Sequence, residues 1–223
     1  MNKIYRLIVF DWEGTLGDNF GQIVSIITKE TQRLHLGTVA ESDVRESIPF
    51  GLIVTIKKIL PHLTVDQQEN LLAAINQGLM TRNMEVFLMP GAKDFVQAAH
   101  QAGKRLAIAT NKSQQSLVRA LNASGIAPLF ELTRSAGQTP PKPDPQMLSE
   151  ILEALDIPAE AALMIGDSVS DIEMAGYLNM DAIGMDFYHL QTANLKEAGA
   201  LAVFDSYSTL AHYLDLPLRR EFS

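Results

Sequence analysis

The sequence contains no cysteine, and this absence excludes several kinds of chemistry. The chain cannot form a disulfide framework, a thiolate zinc site or a cysteine nucleophile. Histidine is present but scattered, without the spacing of a metal site. The five histidines are His35, His62, His100, His189 and His212. Candidate catalytic groups must therefore be sought among other residue types.

Long apolar runs and a basic charge balance are also missing. No stretch approaches the ~20 apolar residues that span a bilayer. The N-terminal apolar run ends at Asp11, which is too early for a signal peptide. We therefore expect a cytoplasmic protein without a membrane partner. The formal net charge of -8 argues against a nucleic-acid binder, although a local cationic pocket could still bind a small phosphorylated substrate.

The remaining composition is that of an ordinary globular protein, with 223 residues, 47% of them hydrophobic. Short apolar runs recur along the chain, and helical patterns fill most of the gaps between them. Strands that alternate with helices in this way predict an α/β fold with a parallel sheet and right-handed crossovers. The predicted strands are Ile4–Phe10, Arg105–Thr110, Ala161–Gly166, Asp181–Met185 and Ala200–Phe204.

The interval between the first two predicted strands differs from the rest, because its pattern is helical throughout. Phe20, Ile23, Ile27 and Leu34 mark one amphipathic helix. Thr64 and Gln67 form a capping box that opens another, with Leu71, Ile75 and Leu79 on one face. We therefore predict a discontinuous core of residues 1–16 and 88–223, and an inserted all-helical cap of residues 17–87.

The most informative motif follows the first strand and reads Asp11-Trp12-Glu13-Gly14-Thr15-Leu16. Open α/β sheets place their ligands at the carboxyl ends of the strands, where Asp11 stands. Gly14 allows the backbone to turn sharply and to approach a ligand closely. The carboxylates of Asp11 and Glu13 are suited to catalysis in which one side chain is the nucleophile and the other transfers a proton. The structural alternative is that Asp11 only caps a helix or forms a turn.

Two further segments offer groups that could bind phosphate. Thr110 and Asn111 end the second strand, where a hydroxyl and backbone N–H groups can bind phosphate oxygens. Lys142 lies among four prolines that restrict its backbone, and its ammonium is a compact positive charge. Alternatively, Thr110 and Asn111 only end a strand, and the proline-rich loop is a ligand for an SH3-like domain.

Another strand end carries a pair of aspartates. Asp167 follows the apolar run Met164-Ile165-Gly166, and Asp171 lies one helical turn later on the same side. Two such acids can hold a hard divalent cation, and Mg²⁺ prefers a few carboxylates, retained waters and a substrate phosphate. The alternative is a helix N-cap at Asp167 or Ser168, with Asp171 adding charge to the first turn.

Together these segments give the order acid-x-acid-Gly-Thr, Thr-Asn, Lys-Pro and Gly-Asp-x-x-x-Asp. The chain thereby resembles the haloacid dehalogenase-like hydrolase superfamily over essentially its whole length. The helical cap and Met89-Pro90-Gly91 resemble the branch that contains phosphoglycolate phosphatases and β-phosphoglucomutases. The resemblance implies a Rossmann-like three-layer core, and a phosphatase that acts on a small phosphorylated metabolite such as phosphoglycolate or a sugar phosphate.

The resemblance also implies a role for each motif residue. Asp11 would be the nucleophile that becomes an aspartyl-phosphate, and Glu13 would be the general acid and base. The implied Mg²⁺ ligands are the Asp11 carboxylate, the Glu13 backbone carbonyl and Asp167, with Asp171 in support through water or Lys142. The groups implied to neutralise the transferring oxygens are Lys142, Thr110 and backbone N–H groups near Asn111 and Gly14.

Glu13 departs from the pattern of the superfamily, whose phosphatases normally have aspartate at this position. Glutamate adds about 1.5 Å of reach, and a displacement of ~1 Å can lower a rate on the order of 100-fold. One alternative is therefore a weak or inactive relative that binds phosphate or a partner protein. Another is a phosphotransfer like that of β-phosphoglucomutase. The sequence does not predict the specific substrate, the cap residues that select it or the oligomeric state.

Overall fold

A computed structural model describes residues 3–18, 20–81 and 86–218 of the chain, residues 80 and 81 by their backbone alone. The chain divides into two compact units. The first unit comprises Met1–Gly17 and Leu88–Ser223, and the second comprises Asp18–Phe87. Each unit has its own secondary structure and its own buried side chains.

The described part of the first unit contains one six-stranded parallel sheet with the order β3-β2-β1-β4-β5-β6. The strands are β1 (Leu7–Phe10), β2 (Arg105–Ser113), β3 (Leu132–Ala136), β4 (Ala162–Gly166), β5 (Asp181–Met185) and β6 (Ala202–Phe204). The predicted parallel α/β fold is therefore confirmed.

The α-helices divide between the two units. The helices of the second unit are α1 (Gly21–Arg33), α2 (Glu41–Ser47), α3 (Leu52–Ile59) and α4 (Val65–Thr81). Those of the first unit are α5 (Ala92–Gln101), α6 (Gln114–Ser124), α7 (Gln146–Leu155), α8 (Val169–Gly176), α9 (Thr192–Glu197) and α10 (Tyr207–Tyr213). None of the helices in the described residues is long and apolar enough to cross a membrane.

Strand β1 lies in the middle of the sheet, and all four of its residues are buried. On one face, Leu7 and Val9 belong to a cluster that also contains apolar residues of α7 and α8. On the other face, the ring of Phe10 lies 6.1 Å from that of Phe95 in α5. Successive side chains of a strand point to opposite faces, so this run requires cover on both sides. The helices on the two faces provide that cover and give the predicted three layers.

The strand predictions need correction for one strand that they missed and for the ends of others. Strand β3 was not predicted, because Thr133, Arg134 and Ser135 interrupt its apolar character and four of its five residues are only partly buried. The first strand begins at Leu7 rather than Ile4, whose side chain is 78% exposed. The last strand is also shorter than predicted, since it begins at Ala202.

The second unit is helical in its described residues and has its own core. Leu71 and Ile75 of α4 are fully buried in that core, together with Ile27 of α1. Thr64 and Gln67 form the predicted capping box: the Gln67 N–H donates to Thr64 Oγ1 at 3.3 Å, and the Thr64 N–H donates to Gln67 Oε1 at 3.0 Å. These bonds satisfy N–H groups that the first turn of α4 leaves unpaired.

Candidate active site

The carboxyl ends of β2, β1 and β4 lie side by side and bring three of the sequence motifs together. Phe10, the last residue of β1, pairs with Ile108 on one side and with Ile165 on the other. The residues that follow these pairs therefore meet at one edge of the sheet. This edge is where open parallel sheets bind their ligands.

Three carboxylates converge at this edge, as the motifs predicted. Asp11, Asp167 and Asp171 each contribute one oxygen atom, and these oxygens all lie within 4.8 Å of one another. Asp171 is fully buried, and Asp11 is 7% exposed. In the described residues this is the one group of three or more potential metal ligands. Hard oxygen donors at this spacing suit a divalent cation such as Mg²⁺.

Lys142 lies between two of these carboxylates. Its ammonium donates to Asp11 Oδ1 at 2.6 Å and to Asp171 Oδ1 at 2.5 Å. Its backbone N–H donates to the side-chain Oδ1 of Asn111 at 2.9 Å. Asn111 therefore holds the proline-rich loop against the end of β2, a contact that the sequence analysis did not predict. Lys142 itself is buried in the site, whereas Pro140, Pro141 and Pro143 of the same loop are exposed.

The electrostatics of the cluster show an excess of negative charge. Burial raises the pKa of Asp11 to about 6, a shift that Lys142 opposes and Asp171 reinforces. Burial also raises the pKa of Asp167 to about 7, with further increases from Asp11 and Asp171. Burial alone would lower the pKa of Lys142, but the two carboxylates raise it above its ordinary value. Three buried or half-buried acids around one ammonium favour a further cation.

Asp171 has a structural role as well as its contact with Lys142. Ser168 is the N-cap of α8, and Asp171 Oδ2 accepts hydrogen bonds from the Ser168 N–H at 3.1 Å and from its hydroxyl at 2.6 Å. The helix-cap alternative is thus observed, with Ser168 as the cap. It coexists with the cluster because the two oxygens of Asp171 have different partners.

Gly14 lies against Asp167 in the sharp turn that follows β1. Its N–H donates to the Gly17 carbonyl at 2.9 Å, and the predicted binding of phosphate by backbone N–H groups near Gly14 stays a prediction. Its φ is +73°, and a Cβ atom would lie 2.1 Å from Asp167 Oδ2. Only glycine allows both this conformation and this close approach. Thr15, the next residue, donates from Oγ1 to Asp167 Oδ1 at 3.5 Å.

Glu13 forms an ion pair that the sequence analysis missed. Its carboxylate Oε1 accepts a hydrogen bond from the ammonium of Lys112, and the two side chains are 40% and 19% exposed. The Lys112 N–H donates to Oγ1 of Thr110 at 3.2 Å, and Thr110 is almost fully buried. Residues two apart in an extended segment share a side, so the position of Thr110 could have indicated Lys112.

A cavity of about 220 Å³ opens at this edge of the sheet. Its lining comprises the predicted Asp11, Glu13, Thr110, Asn111 and Lys142, together with Lys112, Ser168 and Ser170, which were not predicted. Two larger cavities, of about 350 and 320 Å³, lie at the opposite edge around Tyr5 and Lys104. We assign the site to the smaller cavity, because the carboxylates and the buried lysine converge there.

Comparison with known proteins agrees with this geometry. A phosphoglycolate phosphatase of Vibrio cholerae serotype O1 is 30% identical over 224 residues, which cover 93% of this chain and 96% of that protein. A phosphoglycolate phosphatase of Rhodospirillum rubrum is 24% identical over 222 residues, covering 95% and 92%. The structure of Rhodobacter sphaeroides CbbY in complex with xylulose-(1,5)bisphosphate has a TM-score of 0.60 and 25% identity, and the match covers 96% of this chain and all of that one.

The family model described as haloacid dehalogenase-like hydrolase matches residues 8–185. This range runs from β1 to the end of β5 and contains every motif on which the resemblance was based. The predicted superfamily and the predicted hydrolase class are thereby confirmed. The chain belongs to the haloacid dehalogenase-like hydrolase family.

Proposed function

We propose that the chain is a Mg²⁺-dependent phosphomonoester hydrolase that acts on a small phosphorylated metabolite through an aspartyl-phosphate at Asp11. The observation that carries this proposal is the contact of Lys142 with both Asp11 and Asp171, beside Asp167, at the carboxyl edge of the sheet. The relatives named as phosphoglycolate phosphatases and the bisphosphate bound by CbbY support a phosphorylated substrate. A cytoplasmic location and the absence of nucleic-acid and membrane partners stay predictions.

The residues at the edge of the sheet fit a bound Mg²⁺. The Asp11 and Asp167 carboxylates and the Glu13 backbone carbonyl would hold it, with Asp171 acting through Lys142. A bound Mg²⁺ would reduce the repulsion between the anionic nucleophile and the anionic phosphate. The raised pKa values of Asp11 and Asp167 support this assignment, because they reflect negative charge that one ammonium does not balance.

The chain's own groups can carry both halves of the reaction. A carboxylate oxygen of Asp11 attacks phosphorus, and the bond from phosphorus to the leaving oxygen breaks with its electron pair. Glu13 gives its proton to that oxygen. Glu13, now a carboxylate, then takes a proton from water, whose oxygen attacks the phosphoryl group and releases Asp11 and phosphate. Lys142 holds Oδ1 of Asp11 and so fixes the orientation of the carboxylate.

A weak or inactive relative is the second candidate, and Glu13 is the observation that favours it. The longer side chain places the proton-transfer group differently from the aspartate usual in this superfamily, and position matters strongly for such a group. Phosphate or partner binding could then be the main activity. Measured turnover of the parent protein distinguishes the two candidates.

The test is a screen of phosphorylated metabolites with Mg²⁺, in which the release of inorganic phosphate is measured. The parent and Asp11→Asn are compared, with Asp94→Asn, an exposed acid of α5, as a matched control. We expect release by the parent and the control, loss of release with a chelator, and no turnover by Asp11→Asn. An inactive parent together with a strong gain in Glu13→Asp would contradict the enzyme proposal.

A further inference from the structure

The ion pair between Lys112 and Glu13 lines the same cavity as the nucleophile Asp11. We propose that Lys112 is a positioning residue that holds the longer Glu13 side chain in place for proton transfer. This inference rests on the proposed function, because it assigns Glu13 the role of general acid and base. It adds a residue outside the sequence motifs, and it offers a reason why glutamate can serve at this position.

Both ends of the ion pair are fixed through the backbone. Lys112 lies in β2, and its N–H is bonded to the buried Thr110 hydroxyl. Glu13 forms a β-bridge with Gly17 in the turn that follows β1. The contact therefore joins two ordered segments across neighbouring strands, and both side chains line the cavity beside Asp11. A side chain held in this way loses much of its freedom to rotate.

The extra methylene of Glu13 is the reason why such a restraint matters. Glutamate has one more rotatable bond than aspartate, and its carboxylate can occupy more positions. Lys112 binds Oε1 and so limits these positions, which leaves Oε2 to exchange the proton. The pair is partly exposed to solvent, and such pairs contribute little to stability. Its main effect is therefore on the orientation of Glu13.

Lys112 could instead bind the substrate phosphate directly, because its ammonium lines the same cavity. The two roles predict different kinetics. A phosphate-binding lysine contributes to substrate affinity, and its loss raises KM. A lysine that positions Glu13 contributes to the chemical step, and its loss lowers kcat. Only the second role depends on the length of the side chain at position 13.

The experiment is a double-substitution cycle with the parent, Lys112→Met, Glu13→Asp and the double variant, measured for kcat and KM. We expect Lys112→Met to lower kcat roughly 10- to 100-fold, with KM within about 3-fold, by analogy with other misplaced catalytic groups. In the Glu13→Asp background the same substitution should change kcat less than about 3-fold, because the shorter aspartate has one rotatable bond fewer and needs less restraint from Lys112. Lys112→Arg should recover part of the loss, and Lys93→Met, an exposed lysine of α5, is the control.

Several results would overturn the inference. A raised KM with unchanged kcat assigns Lys112 to substrate binding instead. An equal loss in both backgrounds means that Lys112 does not act through Glu13. If the parent itself is inactive, the proposed function fails, and crystal structures of the parent and Lys112→Met then decide the inference. A Glu13 carboxylate in the same place in both structures rejects it, whereas a displaced or disordered carboxylate supports it.

Discussion

Lys142 is a buried cation that forms ion pairs with both Asp11 and Asp171. Its side chain is 2% exposed, and those of its partners Asp11 and Asp171 are 9% and 0% exposed. Taking one partner from a buried ion pair leaves a charge without compensation, which costs about 3–5 kcal/mol. We therefore expect Lys142→Met to lower the free energy of unfolding by about this amount without metal and to abolish turnover. Chemical denaturation and the phosphate-release assay measure the two effects.

The matched control for this variant is Lys196→Met, which removes an exposed lysine of α9. Its stability should stay within about 0.5 kcal/mol of the parent, as for most surface substitutions. Adding Mg²⁺ should restore part of the stability lost in Lys142→Met, because a bound cation compensates the same carboxylates. Equal stability of Lys142→Met and the control would show that the lysine does not balance buried charge.

The turn after β1 depends on the close approach of Gly14 to Asp167. Gly14→Ala would place a methyl group 2.1 Å from Asp167 Oδ2 at a backbone φ of +73°. A strained non-glycine conformation costs about 1–3 kcal/mol, and the clash must displace the Asp167 carboxylate. We expect a drop of roughly 10-fold or more in Mg²⁺ affinity, by analogy with disturbed metal shells, as measured by calorimetry.

Gly176→Ala provides the control for this clash. Gly176 ends α8, where an added Cβ has no atom within 4 Å among the neighbours that the structure describes. Alanine should therefore leave Mg²⁺ affinity unchanged and should stabilise the helix by up to about 1 kcal/mol. If Gly14→Ala binds Mg²⁺ as tightly as Gly176→Ala, Asp167 is not part of the metal site.

The strands that form the site also explain which of its residues could be predicted from the sequence. Asp11, Thr110 and Asp167 were predictable because each follows a run of buried apolar residues in β1, β2 or β4, and parallel strands bring these runs to one edge. Strand β3 gives no such apolar signal, because it is a polar strand at the edge of the sheet. The Lys112–Glu13 pair depends on the conformations of two long side chains, and spacing along the chain does not determine these. The Gly14 hydrogen bond depends on how a tight turn closes on itself.

The raised pKa values of Asp11 and Asp167 predict how the free energy of unfolding of the whole protein varies with pH. Unfolded aspartates titrate near about 4, whereas these two titrate at about 6 and about 7 in the folded protein. Between these values the folded state binds more protons than the unfolded state. The contribution of the site to the free energy of unfolding therefore falls as the pH rises from about 4 to about 7.

This pH dependence can be isolated by comparing the metal-free parent with Asp167→Asn, which removes one of the two groups. The parent should lose more stability than the variant as the pH rises through this interval. Excess Mg²⁺ should remove the difference by binding the ionised carboxylates. Denaturation at a series of pH values measures both effects. Parallel curves for the two proteins without metal would contradict the assigned cause.

The most direct test of the shared cation site is anomalous X-ray scattering from crystals soaked with Mn²⁺, which takes the same oxygen ligands as Mg²⁺. The account predicts a peak about 2.2 Å from carboxylate oxygens of both Asp11 and Asp167, in line with metal–oxygen distances at such sites. It also predicts that this peak disappears in Asp167→Asn. A peak elsewhere, or none at the edge formed by β1 and β4, would contradict it.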